Sequence, residues 1–193
     1  MTETRQALLA ATRVCIGRKG LAATTSRDIT AEAGANLAAI TYHFGSKDGL
    51  VADALLEELR SWLTPTLEVL GGDGDPSTRT MLAIQTLMTT FREHQSAAPA
   101  FVQAVAQAPM LPSLQAGLIE LWAELRELLA ADITGMQQRG ELPSWIEPIT
   151  MAAVLVAVAN GLVLHVTVDR DGPSLSDMAS QFGALLLTVR SRG

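Results

Sequence analysis

The chain has 193 residues and a formal net charge of −6, and 48% of its residues are hydrophobic whereas 18% are charged. This composition is too apolar for a disordered chain and provides enough apolar residues for a folded core. The single cysteine excludes an intramolecular disulfide framework and metal sites built on several cysteines, and it fits a reducing compartment.

The spacing of apolar residues predicts an all-α fold of about nine helices. Seven amphipathic or apolar segments have the helical period, and two short helices are expected between the first and second of them. No stretch combines strict alternation with a hairpin signal, so no β-sheet is predicted. The seven segments cover residues 4–18, 47–63, 77–93, 99–108, 113–138, 147–168 and 175–190.

The two short helices lie within residues 20–47 and have clear end signals. Thr25 is a good N-cap for the first helix, and Asp28 three residues later completes a pattern like a capping box. Gly34 can end this helix in the left-handed conformation, and Asn36 can cap the next, which runs to about His43. Two short helices joined by a tight glycine-containing turn are typical of a helix-turn-helix, whose second helix enters the major groove of DNA.

The charge distribution also favours nucleic acid binding near the N-terminus. Residues 1–50 carry six basic and four acidic side chains, whereas the other 143 residues carry eight basic and sixteen acidic ones. A basic-leaning head on an acidic body is compatible with DNA binding, because the local face decides it. Hydrogen-bond donors flank the helix pair on both sides, at Thr25, Ser26 and Arg27 and at Tyr42, His43 and Lys47.

These residues resemble the N-terminal domain of the TetR family of transcriptional regulators. The family pattern "AxxLFxxxG" followed by "TTxxxIAxxAGVSxxxLYxHFxxK" is matched by "LLAATRVCIGRKG" and "TTSRDITAEAGANLAAITYHFGSKDGL", over roughly residues 5–60. The resemblance implies a helix-turn-helix domain over residues 1–62, with its motif at about 25–44, and a helical effector-binding and dimerisation domain over 63–193. It also implies a cytoplasmic, ligand-responsive regulator of transcription, most simply a repressor, that binds double-stranded operator DNA.

The predicted recognition helix departs from the family pattern at two positions. Leu37 stands where members often carry Lys or Arg, and Thr41 stands where an aromatic residue often occurs. Contacts with thymine methyl groups and sequence-dependent DNA shape are therefore expected to contribute strongly to recognition. By the resemblance, Phe44 is structural, while Thr25, Tyr42, His43 and Lys47 match positions that contact the DNA backbone. The complete predicted set of DNA contacts is Thr25, Ser26, Arg27, Asn36, Leu37, Ala38, Ala39, Thr41, Tyr42, His43 and Lys47.

Small residues recur every four positions in the apolar segment 147–168. They form a smooth strip that another helix can approach closely, which suggests a subunit interface, although packing within one chain is the alternative. A homodimer is expected because an operator with two half-sites needs a two-fold protein. The resemblance implies that the last two helices build this interface, and the predicted residues are Ala153, Ala157, Gly161, Met178, Phe182 and Leu185.

Large apolar side chains between residues 80 and 165 are candidates for an effector pocket, and the alternative for each is plain core packing. The resemblance implies a small-molecule inducer site here. Because these helices carry almost no interior charge, a small, hydrophobic and largely neutral effector is expected. The candidates are Phe91, Phe101, Met110, Leu118, Trp122, Leu125, Met151 and Leu155.

The remaining patterns point away from other functions. The sequence has no recognisable enzyme motif and no histidine spacing suited to zinc, so no catalytic residue, metal or cofactor is predicted. Residues 148–168 are long enough to cross a bilayer but lack aromatic belts and basic flanks, so a buried helix of a soluble bundle is expected. No signal peptide pattern is present. The alternative function is a helical ligand-binding or membrane-associated protein, which specific retention of DNA at moderate salt would exclude.

Overall fold

The computed structural model describes residues 3–94 and 98–190, except for the side chains of 183 and 185–190. This part of the chain contains nine α-helices and a short 3-10 helix, and no strand. The predicted all-α class and the number of helices are therefore confirmed. The helices are α1 (Glu3–Lys19), α2 (Ser26–Ala33), α3 (Leu37–Phe44), α4 (Lys47–Leu70), α5 (Pro76–Glu93), α6 (Ala98–Gln107), α7 (Pro112–Gln138), α8 (Pro148–Val168) and α9 (Leu175–Arg190).

Helix α4 is longer than its sequence pattern predicts. The prediction ended at residue 63, just before Pro65, whereas the helix continues through that proline to Leu70. A proline inside a helix removes one backbone hydrogen bond and usually kinks or ends the helix. Here Leu67 and Leu70 are both buried, and the apolar area that they remove from water offsets the lost bond.

One compact unit comprises Met1–Ser61 together with Pro99–Ile119. Within this unit, the backbone N–H of Leu21 donates a 3.0 Å hydrogen bond to Gln103 Oε1 of α6. Burial, reinforced by nearby carboxylates, raises the pKa of the Cys15 thiol, which fits a structural cysteine. The core cluster of the unit consists of Leu8, Leu9, Ala11, Cys15, Ile29, Ile40, Leu50 and Ala54.

The other unit comprises Trp62–Ala98 and Glu120–Gly193. Its apolar cluster contains Ile133, Ile146 and Ala152. Asp132 is also fully buried in this unit. Its carboxylate accepts hydrogen bonds from Arg79 Nε at 2.9 Å, from Arg79 Nη2 and from Thr80 Oγ1 at 2.9 Å, which offset the cost of burying the charge. The hydrogen bond to this carboxylate raises the pKa of Arg79, which keeps the guanidinium charged.

Helix α8 is largely uncovered in the single chain. It is long and apolar enough to cross a membrane by length and composition, but so are many helices of soluble proteins, and only 11% of its most apolar window is buried. The prediction of a buried helix is therefore wrong for one chain by itself. The large apolar residues that it exposes are Ile149, Val154, Leu164 and Val168.

Candidate DNA-binding site

The first short helix, α2, is fixed by a complete capping box. Thr25 Oγ1 accepts from the backbone N–H of Asp28 at 3.2 Å, and the Asp28 carboxylate accepts from the backbone N–H of Thr25 at 2.8 Å. The ammonium of Lys19, 2.7 Å away, and then the Thr25 hydrogen bonds hold the pKa of Asp28 well below its usual range. Asp28 therefore remains a carboxylate, and the cap keeps its geometry, at any pH near neutral.

The capping box restricts what Thr25 can do at a DNA backbone. Its hydroxyl donates to Asp28 Oδ2 at 2.5 Å, so the same proton is not available to a phosphate unless this bond breaks. The first backbone N–H groups of a helix have no partner inside the helix, and Thr25 satisfies only that of Asp28. The N–H groups of Ser26 and Arg27 are therefore the better phosphate donors at the start of α2.

The turn between α2 and α3 follows the predicted end signals. Gly34 has a φ of 63°, in the left-handed region that favours glycine, and its N–H contacts the Ala31 carbonyl at 3.4 Å. Asn36 then caps α3, because its Oδ1 accepts from the backbone N–H of Ala39 at 3.0 Å. Ile29 and Ile40 are buried in the same core cluster, which fixes the two short helices against each other.

The end of α3 and the start of α4 are held together closely. Ser46 Oγ accepts from the Gly49 N–H at 3.0 Å, and a Cβ at Gly49 would lie 2.4 Å from the Phe44 carbonyl oxygen. This position therefore needs glycine. The Phe44 ring packs against the core with the Arg5 guanidinium 5.1 Å from its centroid, in agreement with the structural role expected for Phe44. Lys47 is thereby placed at the first turn of α4, directly after α3.

The outward face of α3 carries no charged side chain and no amide. Leu37 is 51% exposed and Tyr42 is 83% exposed, and Ala38 and Thr41 are exposed between them. Ala39 differs from these residues, because it is half-buried and packs against the core cluster. His43 is half-buried in edge-to-face contact with the Tyr42 ring, at 4.8 Å between centroids.

The basic side chains of α1 are already paired with carboxylates. Arg5 contacts Asp53 at 2.7 Å, and Arg13 contacts Glu57 and Glu58 at 3.0 and 3.3 Å. Arg18 contacts Glu32 at 2.7 Å, and Lys19 contacts Asp28 at 2.7 Å. The sequence showed a net positive head but could not show this pairing, since most of the partners are more than ten residues away along the chain.

Two basic residues of the first fifty remain available. Within residues 3–94 and 98–190, neither Arg27 nor Lys47 has an ion pair or a side-chain hydrogen bond. Arg27 is exposed at the start of α2, and Lys47 is half-buried at the start of α4. Along the chain, the two cations thus precede and follow α3, and both are available to contact a phosphate backbone.

The candidate effector residues have varied environments. Leu118 and Leu125 are buried, whereas Met110 is 78% exposed. Met151 and Leu155 pack against the cluster of Ile133, Ile146 and Ala152. This agrees with plain core packing, the alternative to an effector pocket for these residues. The others, Phe91, Phe101 and Trp122, are half-buried.

A depression of about 420 Å³ lies elsewhere, on α5, and is lined by Ser77, Thr78, Met81, Leu82 and Gln85. None of these residues belongs to the predicted effector set. Gln103 of α6 is exposed, and its Oε1 accepts the hydrogen bond from the Leu21 N–H. The effector residues thus stay predictions.

The predicted dimer strip lies on the outside of the single chain. Ala153, Ala157 and Gly161 are all exposed, and a Cβ built on Gly161 would meet no atom within 4 Å. Met178 and Phe182 of α9 are half-buried, whereas the side chain of Leu185 lies outside the described residues. The strip is therefore accessible to another helix.

A tight two-helix unit with an exposed second helix and flanking cations defines a helix-turn-helix transcription regulator. Models of known families agree with this class. The model described as bacterial regulatory proteins of the tetR family matches residues 8–54, and that of the C-terminal part of BetI-type transcriptional repressors matches residues 76–189. The chain therefore belongs to the TetR family of transcriptional regulators, as its sequence predicted, and this is a family of regulators rather than enzymes.

Individual relatives show the same architecture. A TetR transcription regulator from Haloarcula marismortui superposes with a TM-score of 0.78 at 19% identity, over 93% of each chain. A transcriptional regulator from Saccharomonospora viridis in complex with choline has a TM-score of 0.78 at 21% identity, over 96% of each chain. The HTH-type transcriptional dual regulator CecR of Shigella flexneri is 43% identical over 65 residues, which is 30% of this chain and 29% of that protein. The match thus spans less than a third of this curated relative.

Proposed function

We propose that the chain is a cytoplasmic, homodimeric repressor that binds a specific operator and is released from it by a small hydrophobic effector. The observation that carries the DNA-binding part is the exposed α3 surface between Arg27 and Lys47, the two basic residues of the first fifty without a partner in the described residues. Such an arrangement positions α3 in a major groove while the cations contact the backbone on both sides.

The division of roles follows from the geometry of each side chain. Leu37, Ala38 and Thr41 face outward and contact base edges. Lys47 and Arg27, with the first N–H groups of α2, contact phosphates and position the helix without reading sequence. The predicted domain organisation, residues 1–62 for DNA and 63–193 for effector and dimer, is part of the proposal.

The dimer part rests on α8. This helix has 21 residues without a formal charge, and its strip of Ala153, Ala157 and Gly161 is exposed in the single chain. A second copy of the chain that brings its own strip against this one covers both apolar surfaces at once. A two-fold dimer also presents two α3 helices to successive major grooves, as an operator with two half-sites needs.

A charge on the strip tests the dimer. Ala157→Glu places a carboxylate in the proposed interface, where it costs several kcal/mol if it stays unpaired. Light scattering should then report monomers, and operator affinity should fall far more than one half-site contributes. Ala131→Glu, at an exposed alanine of α7, is the matched control and should remain dimeric. A wild-type-like dimer of Ala157→Glu would show that the interface lies elsewhere.

The effector is proposed to be neutral. A cationic ligand needs an available carboxylate or an aromatic cage, and Asp132, the fully buried carboxylate of its unit, is already paired with Arg79. The relative from Saccharomonospora viridis was crystallised with choline, so a cationic ligand is the specific alternative. Effector binding acts by a population shift toward a dimer whose α3 helices no longer match the grooves.

Retention of genomic DNA tests the whole proposal. Purified protein should retain a small set of fragments at moderate salt, and a neutral hydrophobic compound from a thermal-shift screen should release them. Trp122→Ala should lower the affinity of that compound and leave operator affinity nearly unchanged. Retention of no particular fragment would refute the DNA-binding function. Stabilisation by choline and other charged compounds alone would refute the neutral effector.

A further inference from the structure

The exposed surface of α3 has no side chain that can form two hydrogen bonds to one base. Its outward residues are Leu37, Ala38, Thr41 and Tyr42. The usual pairs that distinguish bases in the major groove use Arg or Lys on guanine, Asn or Gln on adenine, and Asp or Glu on cytosine. None of these residue types occurs in α3, whose sequence is LAAITYHF.

The neighbouring amide, Asn36, is committed to the fold. Its Oδ1 accepts the backbone N–H of Ala39 at 3.0 Å as the N-cap of α3. An asparagine that reads adenine needs this oxygen for the N6 amino group and its nitrogen for N7. The oxygen can accept a second bond, but the cap holds the amide against the first turn of α3, so a two-bond contact with adenine requires Asn36 to turn away and give up the cap.

The apolar side chains leave one type of base contact that carries sequence information. The C5-methyl group of thymine is the apolar group that base edges display in the major groove. Leu37 is the first residue of α3 and is 51% exposed, which is where a recognition helix meets the bases. The methyl groups of Ala38 and Thr41 extend the same surface, and the Thr41 hydroxyl can serve either a donor or an acceptor.

We propose that this protein reads its operator mainly through C5-methyl groups of pyrimidines, with Leu37 as the principal contact. The inference rests on the proposed DNA-binding function and specifies what that function recognises. A methyl group at C5 has the same place in the groove on thymine and on 5-methylcytosine. Because α3 has no long side chain that distinguishes O4 of thymine from N4 of cytosine, or N6 of adenine from O6 of guanine, a pair of 5-methylcytosine with guanine substitutes for the thymine–adenine pair at the contacted positions.

The test uses the full-length protein and a duplex selected from genomic fragments. Each thymine of one half-site is replaced in turn by deoxyuracil, which removes only the methyl group. A buried methyl group contributes ~0.8 kcal/mol, so a contacted position should lose about fourfold in affinity, and about fifteenfold when both half-sites are changed. Replacement of a contacted thymine–adenine pair by a cytosine–guanine pair should lower the affinity by a similar factor. A pair of 5-methylcytosine with guanine at the same position should restore most of the lost affinity.

Two variants separate methyl reading from backbone binding. Leu37→Ala should bind the thymine and uracil duplexes with nearly equal affinity, and the half-exposed position makes the substitution compatible with folding. Lys47→Ala should weaken binding to both duplexes and keep their ratio, because a phosphate contact reads no base.

Each result is decisive. Specific binding with no effect of uracil at any position would overturn methyl reading and leave the regulator function intact. An unchanged thymine-to-uracil ratio in Leu37→Ala would overturn the role of Leu37. A failure to bind any fragment specifically would overturn the proposed function and, with it, this inference.

Discussion

The pairing of the α1 cations makes a quantitative prediction for the salt dependence of DNA binding. Arg5, Arg13, Arg18 and Lys19 are held by carboxylates, so Arg27 and Lys47 are the two basic residues that residues 3–50 of each subunit offer to phosphates. A dimer then neutralises about four phosphates, and log Kobs should fall with log salt at a slope of about −3.6. Between 50 and 200 mM salt this slope weakens binding about 150-fold.

Removing one of the two unpaired cations from each subunit should halve the slope of log Kobs against log salt. Lys47→Ala eliminates two phosphate contacts per dimer, so the slope should become about −1.8 and the loss over the same salt range about 12-fold. The matched control is Arg18→Ala, which removes an exposed arginine that contacts Glu32 at 2.7 Å. Because its charge is already balanced within the protein, its loss should leave the slope nearly unchanged.

Filter binding or fluorescence anisotropy at several salt concentrations, with one operator duplex, measures these slopes directly. If Arg18→Ala reduced the slope as much as Lys47→Ala, the ion pairs of α1 would have to open on DNA, and the count of available cations would be wrong. A wild-type slope near −8 would lead to the same conclusion, because it requires about nine phosphate contacts per dimer.

Three further predictions concern stability. Asp132→Ala leaves the Arg79 cation without its buried partner and should lower the free energy of unfolding by about 3–5 kcal/mol in urea titrations, whereas Arg18→Ala, at an exposed pair, should change it by less than about 1 kcal/mol. The pKa of Asp28 in the folded protein lies below its usual value of 3.8, so the capping box contributes its full stability above about pH 4 and loses it progressively as pH falls further. The difference in melting temperature between wild type and Asp28→Asn should therefore shrink steadily below about pH 4. A constant difference down to pH 2 would contradict this. Thr66 Oγ1 is buried without a hydrogen-bond partner in the described residues, whereas Thr12 Oγ1 donates to the Leu8 carbonyl at 2.8 Å, so Thr66→Val should keep or raise the unfolding free energy and Thr12→Val should lower it by about 1 kcal/mol. Equal losses in the two variants would show that Thr66 is satisfied in solution.

Local signals explain why the DNA-binding elements could be predicted from the sequence. The capping box of Thr25 and Asp28, the left-handed Gly34 and the cap at Asn36 are each set by residues within four positions of one another. Chemistry at this range depends little on the rest of the fold. The bounds of α2 and α3 therefore agree with the prediction to within about one residue.

Long-range pairing explains what could not be predicted. The partner of Arg5 lies 48 residues away, and the partner of the Leu21 N–H, Gln103, lies 82 residues away. No local pattern identifies such partners, so the sequence overstated the free positive charge near the N-terminus. It also ended α4 before Pro65, because the compensating burial of Leu67 and Leu70 depends on tertiary packing.

Helix α8 shows how structure narrows a choice that composition leaves open. An uncharged helix of 21 residues suits a protein core, a membrane or a subunit interface. A protein core, the first of these, does not describe α8 in the single chain, because Ala152 and Val156 are its buried residues and the others are half-buried or exposed. A bilayer, the second environment, is a poor match, since the helix contains no Trp or Tyr and is bordered directly by the acidic Glu147 and Asp169.

A subunit interface, the third environment, accounts for the pattern of small residues in α8. Lipid contact places no limit on side-chain size, whereas a close helix–helix approach requires residues such as Ala and Gly along one line. Ala153, Ala157 and Gly161 form that line, four residues apart, on the uncovered surface. In the proposed dimer, the same helix on a second copy of the chain is a partner of matching length, polarity and shape.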